Sequence, residues 1–87
     1  MEKRIKATFK SILLDMKFIT NELEDMKETE RSEKLKRKVE NLKLIIDKAL
    51  NTTGAKLEQA NERILKEKED IWEELNKIAF YKNEERE

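Results

Sequence analysis

With 87 residues, the chain is sized for one small domain holding a thin core. Charged residues make up 46% and aromatics 6%, with one Gly and no Pro, which is the profile of long Glu/Lys/Leu-rich helices. Lys plus Arg number 20 and Asp plus Glu number 20, so no net field draws the whole chain toward nucleic acid or an anionic membrane.

The chain has no Cys and no His. That excludes disulfides and thiolate metal sites, and it removes the commonest general base and the most readily activated nucleophile. A reducing, cytoplasmic setting is therefore the expected location. The longest runs of large apolar residues, Ile12-Leu13-Leu14 and Leu44-Ile45-Ile46, are too short for a signal peptide or a membrane span. A mean hydropathy of −0.94 raises disorder as the rival to a folded chain. The apolar residues are periodic rather than sparse, however, and periodicity favours folded helices.

Over residues 5–26, Ile5, Phe9, Ile12, Met16, Ile19, Leu23 and Met26 recur at alternating spacings of four and three. This heptad rhythm keeps one stripe of an α-helix facing a neighbour over several turns and predicts a helix over about 2–28. Burying such side chains is worth roughly 1.5–3 kcal/mol each before ordering entropy, so the stripe requires a partner helix in the same chain or another. At 100° per residue, Ala7, Leu14 and Phe18 fall almost opposite the stripe. They form a second, smaller apolar patch, which covers either a further helix or a different protein.

Large apolar residues stop over 27–34, which marks the first boundary. Ser32 is placed to cap a new helix, with Glu33 beside its positive start. No Gly or Pro forces a turn there, yet a continuous helix over 1–51 would extend about 75 Å and bury little of its own stripe. A bend is therefore expected.

A second helix, over about 33–51, carries Leu35, Val39, Leu42, Ile46 and Ala49 at the same spacing, widened by Ile45 and Leu50. It stops at Asn51-Thr52-Thr53-Gly54, where β-branched residues weaken the helix and Gly54 supplies a left-handed stop. The short connection implies an antiparallel hairpin with a third helix over about 55–81. That helix shows Leu57, Ala60, Ile64, Ile71, Leu75 and Ile78, flanked by Leu65, Trp72 and Ala79. So wide an apolar face suits contact with two neighbours. Residues 82–87 are expected to fray.

The charges cancel overall but not locally. Residues 31–56 hold eight basic and three acidic residues, a balance of +5, while 57–87 hold six basic and ten acidic, a balance of −4. The two arms of the hairpin are complementary, a pattern that sets register and orientation more than stability.

The search for chemistry leaves little. Glu73 with Glu74, or Glu69 with Asp70, would bind Mg²⁺ or work as acid and base only if buried together, and adjacent helical residues diverge by about 100°. A single Gly excludes phosphate loops and dinucleotide fingerprints. The stretch Glu73-Glu74-Leu75-Asn76 resembles the Ser-Gln-Glu-Leu-Asp helix of the small two-helix aspartyl-phosphate phosphatases of sporulating bacteria. Trp72 stands where that motif has Ser, Glu73 where it has Gln, and Asn76 where it has the Asp that the chemistry needs. The resemblance therefore implies a helical hairpin that docks on signalling proteins and does not carry the activity over.

The basic run Arg31, Lys34, Lys36, Arg37 and Lys38 is the candidate nucleic-acid surface, reading phosphates without base contacts. Stacking aromatics are missing nearby. The N-terminal Lys3, Arg4, Lys6 and Lys10 could lie on an anionic membrane, but the apolar stripe runs far past them and favours a core.

The sequence thus predicts an all-α protein of two or three long amphipathic helices. The fold is either an antiparallel hairpin or a three-helix bundle with coiled-coil character, and it is expected to dimerise. Its expected role is non-enzymatic, with no cofactor or metal and no membrane: a helical protein–protein interaction module. The composition suits a small regulator or inhibitor from an AT-rich bacterium or phage. Leu14, Phe18, Trp72, Phe80 and Tyr81 are the candidate anchors. The alternative is a nucleic-acid-associated regulator presenting residues 31–38 from a dimer.

Overall fold

The computed structural model describes the backbone of residues 2–26 and 28–85 and the side chains of residues 2–26 and 28–78. Three helices pack against one another: α1 (Glu2–Asp25), α2 (Glu30–Leu50) and α3 (Ala55–Glu85). The molecule measures 50 × 17 × 16 Å, its long axis set by α3, which spans 31 residues or about 46 Å. The described residues up to 51 thus form two helices, α1 and α2, rather than one.

The heptad stripes supply the core. From α1 come Phe9, Ile12, Met16, Ile19 and Leu23, and from α2 come Leu35, Val39, Leu42, Ile46 and Ala49. Leu57, Ile64, Ile71 and Leu75 are added by α3. At the ends of the stripes Ile5, Met26 and Ile78 are half-buried against this cluster. The stripes that called for a partner therefore face each other within one chain. Between Ile64 and Ile71 the α3 stripe is interrupted by Glu67 and Lys68, both half-buried.

Three cross-helix bonds fix the direction of each helix. Lys43 Nζ donates to Thr20 Oγ1 at 3.1 Å, tying α2 to α1, and Lys38 Nζ reaches Asp70 Oδ2 at 2.9 Å, tying α2 to α3. The Gly54 N–H donates to Glu2 Oε1 at 2.9 Å, which joins the starts of α1 and α3. Consequently α2 runs antiparallel to both neighbours, and α1 and α3 run parallel.

Several boundaries differ from expectation, α1 already ending at Asp25 rather than 28. Thr29, not Ser32, is the N-cap of α2: its backbone is extended (φ −130°, ψ 168°) and its Oγ1 accepts from the Ser32 N–H at 3.1 Å. Ser32 sits three residues into the cap, where its Oγ accepts from the Thr29 N–H at 2.8 Å and donates to the Thr29 carbonyl at 2.9 Å. This reciprocal box satisfies N–H groups that the helix leaves orphaned, and it starts α2 at Glu30 instead of 33. At the other end, Asn51 is the C-cap of α2. The Asn51 and Thr52 N–H groups close on the Lys48 and Ala49 carbonyls, and Thr52 Oγ1 also donates to Lys48.

Gly54 has the expected left-handed backbone, φ +69°, but serves the start of α3, its carbonyl accepting from the Leu57 and Glu58 N–H groups. A Cβ added to Gly54 would meet nothing within 4 Å, so only the backbone opposes a side chain there. Gly54→Ala is expected to cost about 1 kcal/mol, read as a shift in urea midpoint with an unchanged slope. Beyond the expected end at Tyr81, the helical backbone of α3 continues to Glu85.

Candidate interaction surface

Leu14 and Phe18 occupy the face of α1 opposite the core, because each lies two residues from Met16 and about 200° around the helix from it. Their exposures, 66% and 57%, are large for side chains that water disfavours. Spaced four apart, they sit one above the other, with exposed Ala7 and Ser11 continuing the same face toward the N-terminus. Apart from Glu2, which accepts the Gly54 N–H, and Asp15 and Lys17 between the apolar pair, the charges along this helix are segregated. Lys3, Arg4 and Lys10 are exposed before the apolar pair, and Glu22, Glu24 and Asp25 are exposed after it.

The remaining candidates fall elsewhere. Trp72 is half-buried and packs against the core of α3 and its neighbours. Phe80 and Tyr81 lie outside the residues whose side chains are described. Leu44, which sequence reasoning noted only as part of an apolar run, is 61% exposed on α2. The signal was present: Leu44 lies two residues from both Leu42 and Ile46, hence about 200° off the α2 stripe. It borders a shallow surface groove of 450 Å³ lined with Glu33, Lys36, Arg37, Glu40 and Asn41.

The basic run is divided by the helix. Arg31, Lys34 and Lys38 turn toward α3 and line a groove of 290 Å³ together with Leu35, Glu74 and Lys77. Lys36 and Arg37 line the separate groove beside Leu44. Carboxylates interleave with both sets. Lys36 Nζ lies 3.8 Å from Glu28 and 3.7 Å from Glu33. The hydrogen bond between those two carboxyls raises Glu28 above, and lowers Glu33 below, the usual carboxylate range. Lys43 pairs with Glu40 at 3.1 Å, and Lys77 with Glu74 at 3.7 Å.

Lys38 carries the complementarity between the two arms of the hairpin. Its hydrogen bond to Asp70 raises its pKa above the ordinary 10.5, with the nearby Glu74 and Glu67 adding to the effect against partial desolvation. A folded-state pKa raised above the unfolded one stabilises fully below the unfolded value and ceases to do so as pH rises through the folded one. Asp70→Asn should therefore cost up to about 1 kcal/mol at neutral pH, an exposed pair being worth no more. Thermal unfolding of the two proteins should begin to converge as the pH rises past the ordinary lysine value of 10.5 and should coincide only above the raised folded-state value.

Of the acidic pairs, Asp70 is taken by Lys38 and Glu74 by Lys77, while Glu69 and Glu73 are exposed. Among the described residues no group of three or more Asp or Glu is placed to hold a metal ion. Nor, among them, is any helix long and apolar enough to cross a membrane. The chain matches no known protein family, no curated protein and no solved structure.

Proposed function

We propose that this chain is a non-enzymatic helical interaction module that docks on another protein through the outer face of α1. The observation that carries this reading is the exposure of Leu14 and Phe18 on a bundle whose fourteen buried core residues, among those described, include neither of them. An apolar pair left in water contributes nothing to the fold and is the kind of anchor that an interface desolvates. The four-three spacing of the stripes supports coiled-coil character in the bundle, which gives such a face a rigid backing.

Affinity capture with the intact chain and with its Leu14→Lys and Phe18→Lys variants tests the reading. Both variants should keep the helical circular dichroism and melting temperature of the parent, since neither residue touches the core. Proteins retained by the parent and lost from both variants, further copies of this chain included, support the role; an unchanged set contradicts it.

The nucleic-acid alternative draws on the groove lined by Arg31, Lys34, Lys38 and Lys77, where Glu74 and the Lys38–Asp70 pair work against phosphate. The interaction-module reading expects no retention of random duplex DNA even at low salt. Binding that falls steeply with added salt would favour the alternative.

A further inference from the structure

We infer that the outer face of α1 takes a second copy of this chain, docked antiparallel about a two-fold axis that crosses this face at the level of residues 16 and 17. The inference rests on the reading of that face as a docking surface and names its occupant. The order of charges along the helix is what selects the partner. Lys3, Arg4 and Lys10 precede Leu14 and Phe18, whereas Glu22, Glu24 and Asp25 follow them, all exposed.

Two antiparallel copies lay each basic half over the other's acidic half and bring Leu14 of each against Phe18 of the other. Parallel copies would stack like charge on like at both ends. Lys10 and Glu24 lie on the same flank of the helix, two turns on either side of the axis, and antiparallel helices join equivalent flanks. Lys10 therefore meets Glu24 of the second copy twice.

Such a contact is isologous: one patch covers itself, and association stops at two. The net charge of zero leaves no long-range repulsion between copies. An anionic membrane or a nucleic acid would fit the first half of this face and be repelled by the second. Two apolar anchors on one helix place the contact at the low end of interface sizes, and Lys17 approaches its own copy near the axis, so the dimer is weak and concentration-dependent.

Sedimentation equilibrium of the full chain from micromolar to millimolar concentration tests this directly. The mass should rise from monomer toward dimer, and Leu14→Lys and Phe18→Lys should each raise Kd at least about tenfold while leaving circular dichroism unchanged. Lys10→Glu and Glu24→Lys should each weaken the dimer alone. Mixed together they should recover it, because each then meets the opposite charge. A monomer mass throughout, a dimer indifferent to both apolar variants, or a mixture no tighter than its components would overturn the inference. Failure of the docking reading itself shows differently, as capture of the same proteins by the parent and both α1 variants.

Discussion

Phe9→Ala is expected to lower the stability of the bundle by about 3–5 kcal/mol, the cost of removing a buried aromatic ring and leaving part of its volume empty. Phe9 is 0% exposed on the inner face of α1. Small domains are stable by only about 5–15 kcal/mol, so the change removes a large share of the total and can unfold the chain near body temperature. Phe18→Ala supplies the comparison. The same residue type, on the same helix, is 57% exposed and should change stability by no more than about 0.5 kcal/mol. Urea unfolding of the dilute monomer measures both; equal effects would mean that α1 does not present the face assigned to it.

Ser32→Ala should cost about 1–2 kcal/mol, more than an ordinary exposed serine, because Ser32 is the one buried polar side chain among the described residues. Its hydroxyl both accepts from the Thr29 N–H and donates to the Thr29 carbonyl, so the alanine strands the Thr29 N–H, while the carbonyl keeps the Glu33 N–H. Thr29→Ala removes the opposite half of the box. The two residues act as a unit, and the double variant should cost clearly less than the sum of the single ones. Strict additivity would indicate that the box does not hold the α1–α2 bend.

Much of this fold was legible in the sequence for one physical reason. Water disfavours large apolar side chains strongly enough that their spacing records the direction of the core. Of the seven residues of the first stripe, Phe9, Ile12, Met16, Ile19 and Leu23 are buried, and Ile5 and Met26 line the ends. The break near Gly54 and its positive φ were equally readable, although the glycine opens α3 and Asn51 closes α2.

Details that depend on single hydrogen bonds were harder to read. Thr29-Glu30-Arg31-Ser32 forms a capping box in which serine takes the place usually held by Glu or Gln, so the start of α2 reads three residues late from composition. Charge patterns were the least legible. Residues 31–38 read as one basic run along the chain, but a 100° step divides them between two grooves and seats carboxylates beside them. Of the candidate site, Leu14 and Phe18 were visible as residues out of phase with the stripe. Leu44 obeyed the same rule but was hidden by its apolar neighbours Ile45 and Ile46.

The central claim, that a second copy of this bundle docks on the outside of its first helix, is tested most directly by amide chemical shifts recorded across a dilution series of the intact chain. The account predicts concentration-dependent shifts centred on Leu14 and Phe18, extending toward Ala7 and Asp25, with the α2–α3 groove silent. Shifts confined to Arg31, Lys34 and Lys77, or spectra identical at every concentration, would contradict it.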